Sequence, residues 1–297
     1  MNIISLRTFS VILSCLVFWG CGPQGTEKND DGETAFLAHA TQSLVLPGYA
    51  TTVTLAAELD DSAAALCSAP DTESLSVVRA AWRSLQSRWK EMEVYSFGPV
   101  KEYPLRLGPK IELWPARIET IERSIRDEAW LTEGNLDVVS GWSKGLPAVE
   151  YLIFGDEESE SILFQLTNET SRCEYLKLLT FDIFEKFTLL SDAWDPDGGN
   201  YADQLIAAGG TTSSFSSVTM AFDEVLNRVG FLIEFMRQMK VAAPSGLVSG
   251  TTDLDVLESR FCDCALGDLK ANLEGVKSLL GLLFVASPDG DTPPLLG

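Results

Sequence analysis

The sequence is poor in histidine and in basic side chains. Its 297 residues include one histidine, and 22 Lys and Arg stand against 43 Asp and Glu, which gives a net charge of −21. A single imidazole excludes a histidine-rich metal centre and any catalysis that needs two imidazoles. The shortage of clustered cations argues against a nucleic-acid partner, because phosphate binding requires them. The apolar fraction of 45% nevertheless supplies ample material for a folded core.

Long apolar runs are also scarce, and the one candidate lies at the N-terminus. It extends from Phe9 to Trp19 after a single cation, Arg7. This run is too short to span a membrane as a helix, but it has the length of a signal-peptide core. We therefore predict that residues 1–20 form a signal peptide and that the remainder of the chain lies outside the membrane.

The apolar run ends at Gly20 and Cys21, a small residue before a cysteine. This arrangement resembles the lipobox of bacterial lipoproteins, which implies that Cys21 is lipidated and holds the protein at the periplasmic face of the outer membrane. Residues 21–38, which begin with a polar segment, would form the tether. Two alternatives stay open. One is a second cysteine motif at residues 12–15, and the other is an ordinary cleaved signal that leaves a soluble periplasmic protein.

Apolar side chains recur at helical spacing over most of the chain, which predicts an all-α fold. Asp71 and Thr72 can cap the helix that carries the first of these long apolar stripes. Apolar helix faces this wide must be buried against other helices, so we expect packed helical bundles. The stripes comprise Val78, Trp82, Leu85, Trp89 and Met92; Ile118, Ile121 and Ile125; Leu176, Leu179, Ile183, Phe187 and Leu190; Val218, Phe222, Val225, Val229, Leu232 and Met236; and Leu257, Phe261, Leu269, Leu273, Val276 and Leu280.

Breaks between the stripes divide the chain. An acidic break at residues 155–161 separates a predicted N-terminal helical domain, 39–157, from a predicted C-terminal helical bundle, 158–297. A second break, residues 96–115, is long and rich in proline and glycine. Such a loop within a helical protein is often functional.

Four cysteines remain after Cys21 and can form two disulfides in an oxidising compartment, with three connectivities open. We favour a bridge between Cys67 and Cys173, which would join the first helices to the middle of the chain. Cys262 and Cys264 are two residues apart within the last predicted helical stripe. Their side chains would then point to different faces, so we expect them to be poor partners for each other.

The most informative segment is residues 145–155, Gly-Leu-Pro-Ala-Val-Glu-Tyr-Leu-Ile-Phe-Gly. It resembles the signature of the imelysin family of bacterial envelope proteins, Gly-x-His-x-x-Glu followed by an aromatic and apolar run. Further segments agree with the family in order over residues 40–285. They are Trp82, Phe97-Gly98-Pro99, Trp114-Pro115, Arg172-Cys173-Glu174-Tyr175-Leu176, residues 240–246 and Leu257-Glu258-Ser259.

The resemblance implies an all-helical fold of two bundle-like halves, with the second half truncated in this chain. This chain departs from the family motif at one central position, where Pro147 replaces the histidine. Proline has no side-chain ligand, but it is well tolerated in a first helical turn, so a helix should begin near Leu146 after Gly145. Glu150 near the start of that helix would suit the helix dipole, and this is the plain structural interpretation of it.

The functional interpretation is that Glu150 lines the family's pocket together with Glu112 and Glu128. Carboxylates alone favour a hard cation over zinc, so the cofactor, if there is one, is expected to be a divalent cation or iron. His39 lies near the tether and is expected to be a surface residue. Nothing in the sequence around His39 indicates that it replaces the missing motif histidine as a metal ligand.

Three functions follow from the resemblance. The first is a lipid-anchored envelope protein that binds a ligand or cation, in iron or metal acquisition, and is not a peptidase. The second is a metallopeptidase, the activity for which imelysin is named, although the motif histidine is absent. The third is a structural or interaction module with an envelope protein as its partner. A pocket that contains Glu112 and Glu150 together would favour binding.

Overall fold

A computed structural model describes residues 30–128, 130, 136, 138–155, 158–285 and 295. Within those residues the chain is helical and has no strand, which confirms the all-α prediction. The helices are α1 (Asp30–Ala40), α2 (Leu46–Ser68), α3 (Thr72–Met92), α4 (Gly108–Ile111), α5 (Ile118–Asp127), α6 (Leu146–Phe154), α7 (Ser159–Asn168), α8 (Thr170–Trp194), α9 (Ala202–Ile206), α10 (Val218–Phe235) and α11 (Ala265–Gly281).

Helix α3 begins and buries its apolar face as the sequence predicts. Asp71 accepts a hydrogen bond from the backbone N–H of Ser74, whose side chain bonds back to the Asp71 N–H and completes a capping box. The predicted stripe from Val78 to Met92 is buried. Trp82 within it donates its indole N–H to the Leu146 carbonyl at 3.0 Å, which ties α3 to the start of α6.

Helix α2 packs against both α3 and α8 at the centre of the core, and α11 packs on α3. The predicted Cys67–Cys173 disulfide is present and joins the end of α2 to the first turn of α8. Because α2 and α3 precede the expected boundary at residue 157 and α8 follows it, helices from both sides share one core. The division into domains 39–157 and 158–297, and into two halves with a truncated second one, stays a prediction.

Helix α6 starts where Gly145 and Pro147 indicate. Gly145 has φ +75°, and a β-carbon there would lie 2.3 Å from the Ile111 carbonyl oxygen, so glycine is required. Pro147 lies in the first turn of α6, where the absence of its N–H costs nothing. The close approach at Gly145 therefore fixes the position of α6 against α4.

The segment before α11 contradicts the sequence analysis. The predicted helical stripe from Leu257 begins only at Ala265, and residues 257–264 form turns instead. Asp263 adopts φ +55°, a left-handed conformation that interrupts a helix. Cys262 and Cys264 therefore do not lie on different helical faces and are joined in a disulfide. The expectation that they were poor partners was wrong because it assumed a helix here.

After α10, the chain widens into a π-helical segment, Met236–Ala242, before the turns that lead to α11. His39 lies half-buried near the end of α1. None of the described helices is long and apolar enough to cross a membrane. The predicted signal peptide and the predicted lipidation site, Cys21, lie outside the described residues.

Candidate functional site

A buried cluster of charged side chains lies between α3 and α11. Lys90 and Lys240 are buried in it with Glu258, and the side chains of Glu93 and Glu112 are largely enclosed. These residues come from α3, the turn after it, the segment after α4, the π-helical segment and the turn before α11. Two ammonium groups thus face three glutamates that are far apart in sequence.

Lys90 is the central cation of this cluster. Its ammonium lies 2.5 Å from a carboxylate oxygen of Glu112 and 2.7 Å from one of Glu258. A third carboxylate, that of Glu93, is 3.3 Å away. Burial alone would lower the pKa of Lys90, but these carboxylates raise it well above its usual value, so the lysine stays charged.

Lys240 is the second buried cation. Its ammonium lies 2.6 Å from Glu93 Oε2 and donates to the Asn272 side-chain oxygen at 2.8 Å. Asn272 in turn donates to Glu93 at 2.6 Å. Burial alone would raise the pKa of Glu93, but Lys90 and Lys240 lower it to about 2, so this carboxylate is ionised. Glu258 Oε2 lies 3.0 Å from the Lys240 ammonium, yet it has no hydrogen-bond partner.

A polar extension connects the cluster to Asp268. Gln86 donates its side-chain amide to Glu112 at 2.9 Å and to Asp268 at 3.2 Å. Ser259 donates its hydroxyl to the same Asp268 oxygen at 2.5 Å. Burial raises the pKa of Asp268 and that of Glu258.

Glu150, the motif glutamate, is buried at the edge of this extension. One of its oxygens accepts hydrogen bonds from the backbone N–H groups of Phe261 and Cys262, at 2.8 and 3.0 Å. These donors belong to the turn that the Cys262–Cys264 disulfide closes, and not to the start of α6. Burial raises the pKa of Glu150 to about 8, although the two backbone donors oppose the shift.

Glu112, Glu128 and Glu150, which the sequence analysis places in one pocket, do not all lie together in the structure. Glu112 belongs to the charged cluster, and Glu150 is near enough for its pKa to respond to the charge of Glu112. Glu128 is exposed at the end of α5, in a left-handed conformation, and makes none of the described contacts of the cluster.

Sequence reasoning missed Lys90, Lys240, Glu93 and Glu258. A signal existed in α3 and the turn after it, because Gln86, Lys90 and Glu93 follow one another at spacings of four and three residues. These polar side chains therefore lie along one side of the helix next to its apolar stripe.

Beside the cluster lies a cavity of about 680 Å³. One part of its wall is formed by Glu93 and Glu112, which belong to the cluster, and by Trp89, which adjoins it. Trp89 donates its indole N–H to Glu112 at 2.8 Å and so fixes that carboxylate at the wall. The opposite walls are largely apolar and come from the segment 96–115 and from α10. The long break predicted at 96–115 therefore contributes to the cavity.

The three glutamates could hold a hard cation. One oxygen from each of Glu93, Glu112 and Glu258 lies within 4.8 Å of those of the other two. Such an all-oxygen donor set suits iron, manganese or calcium better than zinc. Within the described residues, the second Glu258 oxygen makes an ion pair with Lys240 at 3.0 Å and accepts no hydrogen bond. Lys90 and Lys240 now supply the positive charge, so a cation would have to displace an ammonium group.

Two solved structures share this architecture. A putative iron-regulated protein A precursor from Parabacteroides distasonis is 21% identical, covers 88% of this chain and 76% of its own, and superposes with a TM-score of 0.74. An imelysin-like protein from Psychrobacter arcticum is 19% identical, covers 88% of this chain and 79% of its own, and gives a TM-score of 0.65. No curated protein matches the sequence.

Together the fold and the site define an all-α protein with a buried lysine–glutamate cluster beside an apolar cavity. The family model of imelysin matches residues 45–290. The chain therefore belongs to the imelysin family, as the segment 145–155 indicated.

Proposed function

We propose that this protein is an exported, lipid-anchored binding protein that serves iron or metal acquisition in the cell envelope and is not a peptidase. The observation that carries the proposal is the cavity of about 680 Å³ with Glu93 and Glu112 in its wall. A cation that enters it would meet carboxylates with the spacing of a three-oxygen site. The family and the relative from Parabacteroides distasonis, a putative iron-regulated protein A precursor, support the link to iron.

The peptidase alternative has less support. A zinc peptidase of this family would use the motif histidine as a ligand, and Pro147 stands there. The one histidine, His39, lies in α1, and the buried cluster is formed by lysines, glutamates and neutral polar groups. These residues suit the binding of a cation better than the activation of water by zinc.

Cation binding can be measured by calorimetry on the full-length protein in detergent after treatment with a chelator. We expect Fe²⁺ under anaerobic conditions, or Mn²⁺ as its stable analogue, to bind with one-to-one stoichiometry. Glu112→Gln should weaken that binding roughly tenfold or more, since affinity for hard cations depends on the number of carboxylate ligands. The glutamine keeps an oxygen that can still accept from Trp89, so the wall should keep its shape.

Glu128→Gln is the matched control, because Glu128 is exposed and outside the cluster. It removes the same charge and should leave cation affinity unchanged. Equal losses in the two variants would mean that the acidic surface attracts cations without a site. The absence of binding heat for Fe²⁺, Mn²⁺ and Ca²⁺ would refute the cation site.

The lipid anchor is tested separately. We expect cells that express the chain to incorporate labelled palmitate into it, and Cys21→Ser to abolish the label, because the thiol of Cys21 is the proposed acceptor. Cys15→Ser is the control and should keep the label. Labelling that depends on Cys15 would move the anchor to the second motif, and no labelling of the wild type would leave the unanchored alternative.

A further inference from the structure

The cavity is far larger than a cation site requires. An ion at Glu93, Glu112 and Glu258 would fill only a small part of about 680 Å³. The remaining wall is apolar and aromatic, and it includes three large side chains of α10 and the segment that follows it. Phe231, Phe235 and Met239 follow one another at intervals of four residues and are 62%, 40% and 46% exposed. Trp114 packs against Phe235 with the ring centroids 6.1 Å apart.

The charges around this apolar wall are unequal. The acidic groups in the wall are already paired, since Glu93 contacts Lys90 and Lys240, and Glu112 contacts Lys90. Lys101 and Arg106 also line the cavity, and neither has an ion-pair partner in the part of the chain that the structure describes. In a chain of net charge −21, unpaired cations at an apolar cavity create a local preference for an anion.

Two cationic side chains lie against Phe231 at one end of the cavity, whereas Arg106 elsewhere in the lining donates to the Tyr103 hydroxyl at 3.0 Å. The Lys101 ammonium lies 5.8 Å from the centroid of the Phe231 ring, and the Arg228 guanidinium lies 5.0 Å from it. Phe235 is one helical turn further along, beside Trp114 and 5.7 Å from the ammonium of the buried Lys240. The cavity is thus polarised, with the accessible Lys101 near Phe231 and the closed charged cluster beyond Phe235.

We propose that the cavity binds an amphipathic organic anion, with its aromatic or apolar body on Phe231, Phe235 and Trp114 and its acidic group at Lys101, with Arg106 as a further cation of the wall. Arg228 already has Glu224 as an ion-pair partner and contributes mainly its contact with the Phe231 ring. This inference rests on the proposed use of the cavity as a binding site. It does not require the cation site, because the organic ligand meets a different part of the wall.

Two fluorescent probes with the same aromatic skeleton test this. One is 1-anilinonaphthalene-8-sulfonate, and the other is N-phenyl-1-naphthylamine, which lacks the sulfonate. The full-length protein in detergent is titrated with each probe in the presence of a chelator, so that a failure of metal binding cannot affect the result. We expect one sulfonate probe per chain and at least roughly tenfold weaker binding of the neutral probe, the size of one charge-assisted contact.

Single substitutions then separate the two parts of the site. Lys101→Gln should reduce affinity for the sulfonate roughly tenfold and leave the neutral probe unchanged. Lys110→Gln, an exposed lysine of the same segment that does not line the cavity, should change neither. Phe231→Ala should weaken both probes, whereas Leu266→Ala, an exposed apolar residue outside the cavity, should weaken neither.

Equal affinity for the two probes, or equal effects of Lys101→Gln and Lys110→Gln, would overturn the proposal. So would a wild-type dimer in sedimentation that excludes the probe and dissociates on Phe231→Asp, because the apolar wall would then be covered by a second copy of the chain. Anion-selective binding without any binding of Fe²⁺ or Mn²⁺ would support this inference and refute only the cation site.

Discussion

Replacing Lys90 with methionine is expected to lower the free energy of unfolding by about 3–5 kcal/mol at neutral pH, because removing one partner from a buried ion pair leaves uncompensated charge. Methionine keeps most of the apolar stem of the lysine and removes the ammonium. Glu112, Glu258 and Glu93 would then face one another across a few ångströms with Lys240 as the single cation. Chemical denaturation of the full-length protein in detergent would measure the loss.

The loss should depend on pH in a defined direction. Burial already raises the pKa of Glu258, and we expect the loss of the Lys90 charge to raise it further. Stability is then present below the unfolded pKa of glutamate, near 4.3, and is lost as pH rises through the higher folded value. The deficit of Lys90→Met relative to the wild type should therefore shrink on acidification.

A divalent cation should rescue this variant. Mn²⁺ can occupy the space between the carboxylates that Lys90 leaves, so it should raise the stability of Lys90→Met more than that of the wild type. Lys110→Met is the matched control and should cost less than about 0.5 kcal/mol, as is usual for an exposed side chain. If Lys90→Met were as stable as that control, the lysine would not be the charge that balances the cluster.

Loss of a buried carboxylate usually destabilises a protein. Glu150→Gln is expected to have the opposite effect and to stabilise the protein increasingly as pH rises. Burial raises the pKa of Glu150 from 4.5 to about 8. Between these values the folded state binds more protons at this site than the unfolded state. Stability is therefore fully present below about pH 4.5 and falls as pH rises towards 8, with a slope of up to about 1.4 kcal/mol per pH unit.

Glutamine removes this dependence because it is neutral at every pH, and its side-chain oxygen can still accept from Phe261 and Cys262. The measurement is the difference in unfolding free energy between Glu150→Gln and the wild type, taken at intervals from pH 4.5 to 8.5. We expect the difference to grow in favour of glutamine. Glu128→Gln, at an exposed carboxyl, should show a flat difference. A flat difference for Glu150→Gln as well would mean that the carboxylate is ionised in the folded protein.

The local parts of the fold could be predicted from the sequence, whereas the centre of the site could not. Asp71 and the stripe that follows it specify α3 through neighbours within a few turns, and Gly145 with Pro147 specifies the start of α6. Lys90 and Glu258 are 168 residues apart, and no periodicity connects them. Lysine and glutamate are also residue types that normally remain exposed, so composition places them at the surface.

The motif glutamate shows the same limit in another way. The sequence indicated correctly that Glu150 follows the start of a helix, but its hydrogen-bond donors come from the turn at Phe261 and Cys262. That turn was interpreted as helix because Leu257 and Phe261 match the spacing of the residues after Ala265. The left-handed conformation of Asp263 interrupts this spacing, and no glycine marks the position.

The π-helical segment Met236–Ala242 determines which residues face the cavity and which face the buried cluster. A π turn contains one residue more than an α turn, so it changes the angular phase of everything that follows it. Met239 remains exposed at the cavity while the adjacent Lys240 reaches Glu93 and Asn272. An ordinary α-helix advances about 100° per residue, so loss of one residue from this segment would rotate the side chains after it by more than a quarter turn. The π-helical segment thus places the apolar wall of the cavity and the buried charged cluster on adjacent residues of one continuous stretch of chain.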